Sequence, residues 1–454
     1  MKAGFARTDI TPPLGSVLIG YYSPRYAEDV ITPLEANAIA FSDGENTAVM
    51  VSLDLLGVRQ DTWDDVRKEI SEKTGLPYEA IFLACTHTHL GPAVSKGFLF
   101  PPDDSYTSIL FRKICDVITL ALKDMKDATP YVARGKAEDL NFIRRFKMTD
   151  GTTVTNPSKK TDPAKVVGPI GEPDKTVQLV KFVREDAPDI ALVNFQVHPD
   201  VIGGNKISAD YPGFLREQLE TALSKEKGGL GVKAIYFNGA QGDLIHADRF
   251  NTKKHEFNQT LKGGVEHSMH IGRTLAGIVL GIYTYAEPVE CGKVFFKQAV
   301  ATCPSSRGSA EQVEIAKKVV DAFLAENGGS KAVKELGLGM EYPEAVKYVR
   351  LEFGPDEFDL YVSCVGFGDV AFIGFPGEPF TEIGRQVKAA SPFRMTLACH
   401  CANGYEGYFP MAEAFDVGGY EAPSSKFRAG VGEALIDTAN KLLDEMNSKQ
   451  RENK

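Results

Sequence analysis

The sequence contains no run of about 18 apolar residues, the length a helix needs to cross a bilayer. It also lacks an excess of positive charge. Lys and Arg number 51 against 61 Asp and Glu, for a formal net charge of -10. Phosphate backbones are bound by basic surfaces, so this balance argues against a nucleic-acid partner. It gives no support to a polybasic face that would dock on a membrane. Cysteine is sparse and odd in number, seven in a large chain, which does not suggest a disulfide framework. No apolar segment follows Met1-Lys2, so no signal peptide is read in the sequence as given, and the cytoplasm is the default expectation.

What is present is ordinary for a globular protein: 454 residues, 43% hydrophobic and 25% charged. No internal repeat, low-complexity segment or linker interrupts the chain. We therefore expect a single domain over residues 1–447, followed by a charged tail at 448–454. The opening, RTDITPPLG, reads as a loop. Strands are expected at 36–42 and 47–57 across the turn Asp43-Gly44-Glu45-Asn46, and at 80–85, 176–183, 190–197, 232–240, 359–368, 370–376 and 394–400. Amphipathic spacing predicts helices over 61–73, 105–125, 211–224, 265–285, 309–326 and 427–446. The pattern is α/β, with mixed sheets flanked by helices.

One arrangement recurs. Apolar strands run straight into loops that carry His, Asp, Glu or Tyr: THTH at 86–89, HPD at 198–200, GDLIHAD at 242–248, PGEP at 376–379 and NGYEGY at 403–408. In α/β folds, ligands bind beyond the carboxyl ends of strands, so five such loops suggest one shared site.

Each residue also has a plainer reading. His87 and His89 lie two apart, and in an extended segment they would face the same way, as a metal or acid–base pair or as structural histidines. His198 ends a strand before Pro199 and could be a capping or core residue. Glu378 stands at a strand-to-helix junction, where the dipole favours a carboxylate. Tyr405 and Tyr408 could simply pack. Cys399-His400-Cys401 has a spacing met in metal sites, but no second pair lies near it in sequence, and buried thiols are the simpler account.

Taken together, RTDITPP, THTHLGP, NFQVHP, FNGAQGD, GFPGEPFTEIG, NGYEGY and GGYEA resemble the neutral ceramidases in content and order, from residue 7 to about 422. The resemblance implies a zinc-dependent hydrolase of an acyl bond, most simply an N-acyl amide, acting on a small or lipid-like acyl substrate of the sphingolipid kind. It implies Zn2+ held by His87, His198, Glu378 and Tyr408, with Tyr420 near the substrate carbonyl and His89 in proton transfer. Imidazoles and a carboxylate suit zinc, which acidifies water and polarises acyl oxygens.

Two departures stand out. The family's block Gly-Asp-Val-Ser-Pro, whose serine is implicated in catalysis, reads here Gly242-Asp243-Leu244-Ile245-His246, so Ile245 replaces the serine. Either His246 supplies the missing polar group, as base or substrate contact, or it stabilises its loop with Asp248. The family's C-terminal β-sandwich is also not expected in this chain. Arg144-Arg145 are either surface charge or a guanidinium, Arg145 being the one taken here, at the mouth of the site. Asp210 is expected to cap a helix. Two alternatives remain: a zinc hydrolase of a soluble polar ester, lactone or acylated sugar, and a non-catalytic zinc- or ligand-binding relative.

Overall fold

A computed structural model describes residues 1–96, 100–258, 262–325 and 330–452. Its larger sheet runs in the order Val232–Asn238, Asp189–Phe195, Thr176–Arg184, Lys126–Lys136, Lys2–Asp9, Glu35–Ser42, Thr47–Leu53, Ile81–Cys85, with Glu287–Pro288 paired beside Lys126–Lys136. The strands at its two edges pair in parallel and those between them are antiparallel, so the sheet is mixed. A second sheet runs Val294–Pro304, Glu357–Phe367, Val370–Gly374, Met395–Cys399, its last pair parallel.

The two sheets face each other. Phe41, Phe82, Phe182 and Phe237 from the larger meet Phe367 and Phe372 from the smaller in one buried cluster. Ring centroids of Phe41 and Phe182 lie 5.5 and 5.4 Å from that of Phe367. Such pairs add about 0.5–1.5 kcal/mol beyond the area they bury. Helices cover the outer faces. Gln60–Thr74 and Asp104–Lys123 pack on the larger sheet through Trp63, Ile70, Leu110 and Ile114. Tyr211–Ala222 and Gly264–Tyr283 cover the other part of it, while Thr381–Ala390 and Val431–Glu452 cover the smaller sheet. With both faces covered, Ile81–Cys85 (IFLAC) and Met395–Cys399 (MTLAC) are wholly buried, which explains their unbroken apolar sequence.

Local signals set the boundaries. Asp103 accepts the amides of Ser105 and Tyr106 at the start of Asp104–Lys123. Gly75, at φ 74°, ends Gln60–Thr74 in the left-handed conformation. The mixed α/β architecture is as the sequence pattern indicates.

Several elements differ from the sequence reading. The opening is not all loop: Lys2–Asp9 is an interior strand, paired over its length with Glu35–Ser42. Its Gly4 lets the strand approach the end of Asp104–Lys123, since a Cβ there would lie 2.1 Å from the Ala121 carbonyl oxygen. Strands Lys126–Lys136 and Val294–Pro304 and helix Tyr342–Leu351 were not anticipated; both strands are partly exposed and mix charged with apolar residues. The last helix runs on to Glu452, so most of the expected tail is helical, with residues 453–454 outside the described range. The helix expected over 309–326 is Ala310–Ala325, and residue 326 also lies outside that range. No helix among the described residues is long and apolar enough to cross a membrane.

Candidate active site

Hydrogen bonds tie the carboxyl ends of four strands together. The Cys85 amide donates to the Cys401 carbonyl at 3.2 Å, and the His400 amide to that of Asn238 at 3.1 Å. The Gly242 amide donates to Pro379 at 2.8 Å, and the Asn238 side chain donates to the Thr86 carbonyl at 3.2 Å. Loops distant in sequence are thus held in one place, as expected at the carboxyl edge of such a sheet.

His87, His89 and His198 converge there, fully or nearly buried, with one ligand-capable nitrogen of each within 4.8 Å of the others. The expected extended alternation is not what joins the first two. His87 has φ 75°, a conformation unfavourable for a residue with a side chain. It is held there because its amide donates to the Leu55 carbonyl at 2.9 Å and its Nδ1 meets the Leu56 carbonyl at 2.7 Å. A carbonyl can only accept, so Nδ1 carries a proton and Nε2 is the nitrogen that faces the site. Nε2 stands 3.2 Å from Glu378 Oε2. The Nε2 atoms of His89 and His198 are 3.0 Å apart, and His198 Nδ1 is 3.9 Å from Glu378 Oε2 without a hydrogen-bond partner.

Glu378 is completely buried. Its Oε1 accepts the Tyr405 hydroxyl at 2.8 Å and its Oε2 accepts Gln241 Nε2 at 3.4 Å. Gln241 also donates to His400 Nδ1 at 3.0 Å, and His400 Nε2 meets the Cys85 carbonyl at 3.1 Å. This supporting layer was only faintly legible. Gln241 belongs to FNGAQGD and His400 to CHC, and neither spacing reveals that they meet behind a carboxylate.

Burial opposes the charge of Glu378, yet His87, Arg144 and the Tyr405 hydroxyl hold its carboxyl down at about 2. Burial pulls the imidazoles the other way: His89 to about 4, His400 to about 3 and His198 well below its usual range. The centre thus combines neutral imidazoles with an ionised carboxylate, the donor set that suits a divalent cation such as zinc. The orphaned His198 Nδ1 and the His87 Nε2 turned onto a carboxylate oxygen fit the same group.

Tyr408 lies next to Glu378 through a short parallel pairing. Its ring meets Tyr420 edge-on at 5.6 Å, and the Tyr420 hydroxyl is 3.0 Å from that of Tyr22. Arg144 stacks near Tyr408, 5.4 Å from the ring centroid, while donating to Glu421 Oε1 at 2.7 Å and the Gly242 carbonyl at 2.6 Å. Neighbouring Arg145 opens the strand Arg145–Met148 and lies over Phe380 at 4.9 Å. Of the two arginines, Arg144 is the one at the site.

His246 does not line the cavity over the histidines. Its ring packs against His267 at 5.4 Å, and its carboxylate neighbour is Asp200 rather than Asp248, whose Oδ1 accepts the Phe250 amide instead. Asp200 in turn accepts the Tyr21 hydroxyl and stands 3.7 Å from His89 Nδ1. Ile245 is buried in a two-residue pairing with Phe142. Asp210 caps Tyr211–Ala222 and also accepts the amides of Val201 and Ile202. All seven cysteines are free thiols, and Cys399 and Cys401 are buried.

The cavity measures about 570 Å³, within the range of small-molecule sites. His87, His89, Glu378, Tyr408 and Tyr420 contribute to its lining, with Ile19, Leu56 and Phe358 among its apolar residues.

Against this geometry, known proteins give a consistent answer. No family model matches the sequence, and no curated protein matches it. Among solved structures, neutral ceramidase from Pseudomonas aeruginosa superposes with a TM-score of 0.70 at 18% identity, covering 98% of this chain and 74% of that one. A ceramidase complexed with C2 superposes with a TM-score of 0.73, also at 18% identity, covering 98% and 75%. The chain therefore has a neutral-ceramidase-like fold.

Proposed function

We propose that this chain is a zinc-dependent hydrolase of an acyl bond, an amide in the first instance. The observation that carries the reading is the buried His87/His89/His198 cluster with ionised Glu378 at its edge, opening on a cavity in a ceramidase-like fold. We assign His87, His198, Glu378 and Tyr408 to hold the metal. Zinc in such a donor set acidifies a water and withdraws electrons from an acyl oxygen.

The chain's own groups would do the rest. Gln241 and Tyr405 fix the two oxygens of Glu378 by hydrogen bonds, so the carboxylate cannot swing away when substrate enters. His89, kept neutral by burial, can accept a proton and has Asp200 at its far nitrogen to favour the charged form as it develops. The Tyr420 hydroxyl, paired with that of Tyr22, can donate to an oxygen that gains negative charge. Arg144, neutralised by Glu421, lies against the Tyr408 ring and holds it beside Glu378. We place His246 and Arg145 in support rather than against the substrate, His246 by way of Asp200. No step uses a serine, so Ile245 is compatible with turnover. We take the residues from 1 to 447 to work as one catalytic unit.

A panel of short and long acyl amides, assayed with and without a chelator, tests the reading. Hydrolysis abolished by chelation and restored by zinc is expected. Hydrolysis that persists without metal would refute the zinc dependence, and no turnover of any amide or ester by zinc-loaded protein would refute the hydrolase.

A further inference from the structure

We propose that the cavity takes an acyl amide bearing a carboxylate, of the N-acyl amino acid class, and that Arg350 grips that carboxylate. The proposal rests on the hydrolase reading above and adds the substrate's charge.

The cavity is basic in a chain that is acidic overall. Four cations line it, Arg59, Lys96, Arg350 and Lys426, against two peripheral carboxylates, Asp61 and Glu406. The carboxylates are taken: Asp61 pairs with Arg59 at 3.4 Å, and Glu406 with Lys426. Among the described residues, no carboxylate lies within ion-pair reach of Arg350 or Lys96. Arg350 stands in the last turn of helix Tyr342–Leu351, exposed, and lines the cavity. The groups around its charge are the phenols of Tyr22, Tyr342 and Tyr405 and the like charge of Arg59.

This position is close to the chemistry. Tyr22 hydrogen-bonds Tyr420, and Tyr405 hydrogen-bonds Glu378, so Arg350 is one side chain removed from both the proposed oxyanion donor and the proposed metal carboxylate. The last turn of a helix favours a cation, which is one reason for an arginine there. That reason does not explain a second cation beside it or, among the described residues, the lack of a carboxylate within ion-pair reach. A neutral lipid lying over Arg350 would strip water from a guanidinium and give nothing back. A carboxylate would pair with it in the planar, two-bond geometry that arginine offers, with Lys96 strengthening the field.

The test compares N-octanoylglycine with N-octanoylglycinamide, which differ in charge and hardly in size, on the zinc-loaded full chain. Wild-type protein should favour the acid in kcat/KM by about 10- to 100-fold, the scale of a charged hydrogen bond. Arg350→Gln should bring that ratio close to one. Arg350→Lys should keep a preference for the acid, and Lys96→Gln should reduce it by a smaller factor. Equal rates, or a preference for the amide, in wild-type protein would overturn the proposal and leave the hydrolase reading standing. If neither compound is turned over, calorimetric binding decides. Tighter binding of the acid, lost in Arg350→Gln, upholds the anion site and counts against the hydrolase; equal binding overturns the anion site too.

Discussion

Replacing His198 with alanine is the most direct perturbation of the proposed metal centre. The ring makes no hydrogen bond to the backbone: Nδ1 has no partner, and Nε2 meets only the Nε2 of His89. Truncation therefore removes packing rather than a structural hydrogen bond, and should cost the metal-free fold roughly 1–3 kcal/mol, the ordinary range for a buried side chain. The metal contribution is separable from this. A ligand at a thousandfold excess over its Kd stabilises the folded state by about 4 kcal/mol. Unfolding entropy of about 2.1 cal/mol/K per residue, over 454 residues, is about 0.95 kcal/mol/K, so metal should raise Tm by only about 4 °C. The shift is small because the protein is large, and elemental analysis after dialysis is the primary assay. Wild-type protein should hold about one zinc per chain and lose about 4 °C on chelation. His198→Ala should hold below about a tenth of an equivalent, with a Tm that ignores the chelator. A variant that retains a full equivalent of zinc would refute the assignment.

His89→Ala separates proton transfer from ligation: retained zinc with turnover lowered by about 100-fold or more is expected, whereas lost zinc would make His89 a ligand and displace one of the four assigned. His246→Ala should keep zinc and lower turnover by roughly tenfold, below the 100-fold scale of a direct acid–base group, because the ring reaches His89 only through Asp200; an unchanged rate would leave it a loop residue. Glu421→Gln leaves the Arg144 guanidinium buried without its carboxylate and should cost about 3–5 kcal/mol in urea unfolding; a loss below about 1 kcal/mol would show that water or Tyr408 already carries that charge.

How much of this was readable follows from the range of the physics involved. The strands that bring the site residues together were legible because they are buried on both faces, and burial writes an apolar run into five to seven consecutive positions. Lys2–Asp9 was not, because its role depends on Gly4 fitting against a helix more than a hundred residues later. The convergence of His87 and His89 was expected for a reason the backbone does not use. Their rings meet at 5.1 Å because carbonyls at 55 and 56 hold His87 in a left-handed turn, and a two-residue spacing carries no trace of that. Arg144 and Arg145 are adjacent and chemically identical. Which one meets Tyr408 depends on where the strand Arg145–Met148 begins, with Arg144 just before it, and that strand's register is set by residues 153–155 and 166–169. Arg350 carries no local signal: its place at the cavity comes from a helix that pattern reading did not find.

The electrostatics of the centre bear on the proposed metal. Arg144 is shared between Glu421, which it meets in an ion pair, and the field of Glu378, which His87 also stabilises. His89, His198 and His400 cannot supply further positive charge, because burial keeps each of them neutral at ordinary pH. The Leu56 carbonyl holds the Nδ1 proton of His87, so Nε2 is aimed at a carboxylate oxygen 3.2 Å away, a contact that needs a proton or a cation between the two atoms. A divalent cation held by these residues would take the place of the Nε2 proton and add to the charge that balances the carboxylate. The strain at His87 is then understandable as the cost of aiming that nitrogen, and it is sustained by two hydrogen bonds that a free chain would not form. On this argument the buried charges and the backbone outlier have one cause, and losing the metal should weaken the loops from 54 to 58 and from 86 to 89 before it weakens either sheet.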